Sequence, residues 1–222
     1  MAKDTRYMRQ SSIINIKDYE ENCISIIGCG AIGSYVATSL AKLGLKHFEL
    51  WDFDTVEEHN LPNQFFFEEQ IGMPKVDATV LMMRKIDSEV VVLTHNEKFD
   101  KHKKLSGGVV IASVDTMSAR REIFDYCKAH TDSITLYVDT RMGGLEGQIY
   151  FVDMEDKKEI ENYETSLFSD DQAVRQRCTE RAIIFTVLGI VSLLCCNLIK
   201  AIKNQADFKN YIVFDFKEMQ VI

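Results

Sequence analysis

The stretch Cys23-Ile24-Ser25-Ile26-Ile27-Gly28-Cys29-Gly30-Ala31-Ile32-Gly33 decides the architecture. A short apolar run ends abruptly in Gly-x-Gly-x-x-Gly, and the residues beyond it change period. Ile32, Val36, Leu40 and Leu43 recur at helical spacing over Ala31–Leu43, and Gly44 stops the pattern. His47-Phe48-Glu49-Leu50-Trp51 then reads as a second strand, closed by Asp52. The first two glycines permit a tight turn and close approach of a ligand, and the third lets helix pack on strand. Phosphates would meet free N–H groups at the helix N-terminus. Asp52 stands where a carboxylate accepts from ribose hydroxyls. The bland alternative is that the glycines serve only the turn.

Working outward, a helix over 75–87, strands over 90–94 and 109–112 and a helix over 118–130 continue the alternation. Strands over 136–139, 148–152 and 211–216 follow. The pattern predicts a doubly wound α/β fold: a mostly parallel, Rossmann-like sheet with helices on both faces. We expect a single domain over 1–222, with an N-terminal helical arm over 1–22 and a mobile, acidic crossover loop over 153–177.

Of the 222 residues 46% are hydrophobic, enough for one substantial core, and the formal net charge is −8. An acidic surface repels a phosphate backbone, so nucleic acid is not expected as a partner. Lys101, Lys103 and Lys104 read as a solvated face. None of the cysteines, Cys23, Cys29, Cys127, Cys178, Cys195 and Cys196, forms a C-x-x-C pair, so no zinc is expected. The first residues lack the apolar core of a signal peptide, and a reducing, cytoplasmic setting is the expectation. The apolar run over 182–196 falls short of a hydrocarbon core of roughly 30 Å. It reads as a buried helix, with Cys195 and Cys196 in the core, and a subunit interface suits it better than a membrane.

The glycine turn alone does not separate a dinucleotide from ATP, and an NAD-dependent oxidoreductase stays open on it. The next block does more: Asp52-Phe53-Asp54-Thr55-Val56-Glu57-Glu58-His59-Asn60-Leu61-Pro62-Asn63-Gln64. It resembles the D-x-D-x-V-x-x-x-N-L-x-R-Q segment of the ThiF/MoeB/HesA superfamily, to which ubiquitin-activating enzymes belong. Arg6-Tyr7-Met8-Arg9-Gln10 is similar to that family's R-Y-x-R-Q opening, Gly72-Met73-Pro74-Lys75 to its G-x-P-K, and Asp115 with Arg120 to its D-x-x-x-x-R. Gly143-Gly144-Leu145-Glu146-Gly147-Gln148 resembles the segment leading back into its sheet.

The resemblance implies Mg-ATP as cofactor and adenylation of the C-terminal carboxylate of a ubiquitin-like or sulfur-carrier protein by a homodimer. Within it Gly28, Gly30 and Gly33 shape the turn, and Asp52 holds the ribose in the block that also carries Asp54. Asn60, Gln64 and Lys75 bind phosphates, Arg9 reaches the neighbouring subunit's nucleotide, and Asp115 positions magnesium. Attack of a carboxylate on an α-phosphate brings two anions together, so cationic clamps and a metal suit the reaction. Each residue also has an ordinary reading: a lone Lys or Arg as surface charge, and Asp115 as a helix cap. Their joint occurrence in order favours the site. Cys178, between Arg177 and Arg181 before a helix, suits a nucleophilic thiolate that takes up the activated protein or its sulfur. An incidental cysteine is the alternative.

Two features depart from the family pattern. Asn63 replaces the arginine of N-L-x-R-Q, and the zinc-binding C-x-x-C pairs are absent. The first leaves a non-catalytic nucleotide-binding partner subunit as the rival reading. The length leads us to expect a minimal module without separate catalytic-cysteine, ubiquitin-fold or rhodanese domains.

Overall fold

A computed structural model describes residues 5–19, 21–170, 183–203 and 205–222. The chain runs β1 (Cys23–Ile27), α1 (Ala31–Leu43), β2 (His47–Trp51), α2 (Lys75–Ile86), β3 (Val91–His95), β4 (Val109–Ala112) and α3 (Met117–Ala129). It continues through β5 (Leu136–Gly143), β6 (Glu146–Asp153), α4 (Lys157–Thr165), α5 (Ile184–Ile202), β7 (Tyr211–Asp215) and β8 (Gln220–Val221). The strands form one sheet in the order β3-β2-β1-β4-β5-β6-β7-β8. β1 to β5 pair in parallel, and β6, β7 and β8 join antiparallel.

This order places the site. The chain moves from β1 out through β2 to β3 and returns to the other side of β1 with β4. The C-terminal ends of β1 and β4 therefore flank the crevice where doubly wound sheets bind ligands. Ile27 lies opposite both Trp51 and Ala112 in the register, so Gly28, Asp52 and Ser113 leave the sheet side by side.

Alternation along the strands divides the core. Ile24, Ile26, Phe48, Leu50, Val109 and Ile111 pack with α1, α2 and α5 on one face. Ile27, Trp51, Val110, Ala112 and Tyr137 meet Ile123 and Phe124 of α3 and Tyr163 of α4 on the other. Each fully buried side chain of this size contributes roughly 1.5–3 kcal/mol. The expected doubly wound architecture is what forms.

Several stretches differ from the sequence reading. The arm is not an α-helix: over 5–19 it consists of turns and one 3-10 turn, Ile16–Asp18. Part of the stretch read as a loop is α4, whose first turn is capped by the Asp156 carboxylate accepting from the Lys158 and Glu159 N–H groups. α5 runs on to Ile202, and its 19 residues make it long and apolar enough to cross a bilayer. Its Val187, Ile190, Val191, Leu194, Leu198 and Ile199 side is buried, against α1 and β6 among others. Phe185 and Leu188 stay exposed on the opposite side. Cys195 is in the core, but Cys196, read as a core residue, is exposed.

Candidate functional site

The glycine turn uses its three glycines differently. Gly28 has φ +97°, in the left-handed region, and an added Cβ would stand 2.5 Å from the Ser113 carbonyl oxygen. At Gly33 an added Cβ would stand 1.8 Å from the Gly28 carbonyl oxygen, so helix and turn touch here without room for a side chain. At Gly30 nothing lies within 4 Å. Gly28 and Gly33 thus close the turn, and Gly30 leaves its outer surface open. No side chain caps the N-terminus of α1. Its first N–H groups have no intrahelical partner and carry the positive end of the helix dipole, the requirements of an anion site.

Asp52 closes over this turn. One oxygen accepts from the Cys29 N–H at 2.6 Å and the other from the Asp54 N–H at 2.8 Å. Burial pushes its carboxyl up, against the pull of those two N–H groups and of Lys75. Each oxygen keeps a second lone pair for a ribose hydroxyl. Asp54 carries the chain to α2: its carbonyl accepts from the Lys75 N–H at 2.9 Å, and its carboxylate pairs with the Lys75 ammonium at 2.8 Å. Lys75, the first residue of α2, is buried, whereas Asp54 is half exposed.

The segment after Asp54 returns to α1. The Asn60 amide oxygen accepts from the Glu57 N–H at 2.9 Å, and the Gln64 N–H donates to the Asn60 carbonyl at 2.9 Å. The Phe65 N–H then donates to the Ser34 hydroxyl on the first turns of α1 at 3.0 Å. Asn60 therefore spends part of its amide on holding the backbone. The Gln64 amide oxygen is buried without a hydrogen-bond partner among the described residues. Buried polar groups are rarely left so; a ligand hydroxyl or, with the amide turned over, a phosphate oxygen would satisfy it.

Across the crevice stands Asp115, exposed, between β4 and α3. It is not the helix cap that its position suggested. Thr116 is the N-cap of α3, accepting from the Ala119 N–H, and Asp170 accepts from the Met117 N–H at 2.6 Å. Arg120 turns inward, donating through Nε to buried Asp139 at 2.8 Å and through Nη2 to the Thr140 carbonyl at 2.7 Å. Arg141 donates to the other Asp139 oxygen at 2.7 Å, and the Tyr163 hydroxyl adds a third bond at 3.0 Å. Burial first, then Asp139, pushes the Tyr163 hydroxyl up, so it donates as a neutral phenol. The sequence reading did not single out Asp139; the available signal was an acid and Arg141 two residues apart on one side of a strand.

Among the described residues, no group of three or more His, Cys, Asp and Glu side chains is arranged to hold a metal alone. One carboxylate, Asp115, suits a magnesium ion that arrives on phosphates and keeps its waters. Cys178 lies outside the described residues.

Arg9 is placed elsewhere. The Gln10 amide donates to the Leu43 carbonyl at 2.6 Å, and the Tyr7 hydroxyl donates to Asp87, at the C-terminal end of α2, at 3.1 Å. The arm thus sits where α1 and α2 end, whereas Gly30 and Lys75 lie where those helices begin. α1 has 13 residues, which at 1.5 Å per residue separates the two ends by about 20 Å. Arg9 is exposed and does not reach the glycine turn of its own chain.

Asp87 anchors this arm. Burial raises its carboxyl, but Lys46, the Glu89 N–H, Arg6 and Tyr7 outweigh that and hold it well below the usual carboxylate range. A depressed carboxylate contributes stability above its unfolded value near 3.9, and the contribution fades as pH falls. The stability gap between the wild type and Asp87→Asn, followed by urea unfolding, should therefore narrow between about pH 5 and 2. A gap constant across that range would mean that the charge contributes nothing.

The model of the ThiF family matches residues 11–221. Ubiquitin-like modifier-activating enzyme 5 of Drosophila mojavensis is 26% identical over 95% of this chain and 58% of its own length. The Arabidopsis thaliana enzyme of that name is 30% identical over 54% of this chain and 32% of its own. The chain thus spans little more than half the length of the first relative. Among solved structures, E. coli MccB with AMPCPP and MccA superposes with a TM-score of 0.79 at 20% identity, covering 100% of this chain and 71% of that one. PaaA gives 0.77 at 16% identity, with 98% and 71% covered.

Proposed function

Since the chain belongs to the ThiF family, we propose that it adenylates the C-terminal carboxylate of a ubiquitin-like or sulfur-carrier protein with Mg-ATP, working as a homodimer. The observation that carries this reading is one sheet edge at which the uncapped N-terminus of α1, Lys75 at the start of α2 and Asp115 before α3 come together. The ATP seen in an E. coli MccB structure supports the choice of nucleotide.

Each residue then has a task. Asp52 accepts the ribose hydroxyls, and the open face at Gly30 admits the phosphates to the α1 N–H groups. Lys75 releases part of its charge from Asp54 to the phosphates, and Asn60 and Gln64 border them. Magnesium, held by Asp115, would neutralise phosphate charge as the anionic carboxylate approaches. The carboxylate oxygen attacks the α-phosphorus, the bond to the β-phosphate oxygen breaks, and pyrophosphate leaves. In the same reading the Cys178 thiolate attacks the acyl adenylate, forming a thioester and expelling AMP.

The experiment is thermal unfolding with Mg-ATP and, separately, with NAD. Mg-ATP alone should raise Tm, and Asp115→Ala should weaken the effect. Gly30→Ala should keep the Tm of the free protein, because its Cβ meets nothing, but lose the shift with Mg-ATP. A shift with NAD alone would turn the reading to an oxidoreductase. Asn63 favours a second reading, a non-catalytic nucleotide-binding subunit. A shift with Mg-ATP but no ATP–pyrophosphate exchange with any carrier protein would establish it.

A further inference from the structure

We infer that Asp87 is a positioning residue whose task is to aim Arg9 at the nucleotide of a second copy of this chain. The inference rests on the homodimeric adenylation reading above.

Among the described residues, the motif Arg6-Tyr7-Met8-Arg9-Gln10 contributes three anchors and one unpaired cation, Arg9. The Arg6 guanidinium pairs with Asp87 at 2.8 Å, the Tyr7 hydroxyl donates to it at 3.1 Å, and Gln10 holds the Leu43 carbonyl at 2.6 Å. The ring of Tyr7 lies beside Gly44, where an added Cβ would stand 3.1 Å from it. Arg9 has no hydrogen bond or ion pair among the described residues and projects into solvent.

Asp87 receives more donors than holding one turn requires. Besides Arg6 and Tyr7 it accepts from Lys46 and from the Glu89 N–H, and its side chain is 1% exposed. A buried carboxylate with four donors is a fixed point, and burial makes the pairing strong against solvent. Three side chains within five residues of an otherwise exposed arm are thus tied to the ends of α1 and α2, at the sheet edge opposite the nucleotide crevice. A guanidinium held there serves no group of its own chain's site, and a second subunit's phosphates are the ligand its charge and fork geometry fit.

Mixing variants tests this. A chain with Arg9→Ala keeps Lys75, and a chain with Lys75→Ala keeps Arg9. Neither alone should bind Mg-ATP well, measured as bound radiolabelled ATP in equilibrium dialysis. Their mixed dimer should regain one complete site of its two, so an equal mixture with random exchange should show about a quarter of the wild-type binding. Adding Asp87→Asn to the Lys75→Ala chain, which supplies the arm, should cut the regained binding at least fivefold. Adding it to the Arg9→Ala chain should leave the regained binding unchanged. Tyr7→Phe in the arm-supplying chain should give a smaller loss with the same asymmetry, should Asp87→Asn fold poorly. Equal losses in both placements, or none in either, would overturn the role of Asp87 while the homodimeric reading stands. No recovery on mixing would overturn both.

Discussion

Asp139→Ala is expected to destabilise the fold by about 3–5 kcal/mol, because it leaves two inward-pointing guanidinium groups without their shared anion. Asp139 is fully buried, and the side chains of Arg120 and Arg141 are only 7% and 12% exposed. Arg120 is held on one side by Asp139 and on the other by the Thr140 carbonyl. Arg141 spends its other nitrogens on the carbonyl and hydroxyl of Ser166. Neither can turn out to solvent without breaking these bonds, so the charge stays buried and unpaired. For a chain of this length the loss corresponds to a fall in Tm of roughly 6–20 °C. Asp139→Asn keeps one acceptor and should lose less. The effect reaches the crevice too: Arg120 also bonds the Thr116 carbonyl at 3.3 Å, beside Asp115. Stabilisation by Mg-ATP should shrink in whichever variant still folds. A loss below about 1 kcal/mol in urea unfolding would mean that water already reaches the cluster.

How much of this was legible depends on how local each signal is. The bounds of β1, α1 and β2 coincide with the sequence reading because Gly28 and Gly44 stop the elements where backbone φ turns positive. The crevice residues from Gly28 to Lys75 were legible for a related reason: they lie in one continuous βαβ segment and its exit loop. α4 was missed because only Tyr163 is buried along it, so hydrophobic periodicity gave nothing to read. Its start was nevertheless written in Asp156 and Glu159, the spacing of a capping box. The arm shows the opposite failure. Its apolar residues recur as in a helix, but side-chain bonds from Tyr7 and Gln10 to other elements fix it in turns, and short isolated helices are marginal. Asp139 was out of reach altogether. Its meaning depends on Arg120 in α3 and Tyr163 in α4, contacts that only the finished sheet creates. Asn63 was legible as a departure, but its consequence is a matter for nucleotide binding.

Lys75→Ala should separate binding from stability more cleanly than any other change in the crevice. Its ammonium is buried at the start of α2, and its charged partner is Asp54, whose side chain is 51% exposed. Removing the lysine therefore leaves behind a carboxylate that water can solvate, and the fold should lose little. The nucleotide loses much more, because the ammonium is the cation beside the uncapped end of α1. A charge-assisted bond to a phosphate is worth about 1.5–3 kcal/mol, so the Kd for Mg-ATP should rise about 10- to 100-fold. Calorimetric titration measures it, and urea unfolding of the free variant supplies the control. Asp54→Asn provides the opposite perturbation. It releases the lysine from its pair, so Mg-ATP should bind as tightly as in the wild type or more tightly. If Lys75→Ala left the Kd unchanged, the ion pair with Asp54 would be a structural contact only. In the proposed homodimer, phosphate recognition would then rest on the α1 N–H groups and on Arg9 of the second copy, and the proposed adenylation would depend on the arm more than on the crevice.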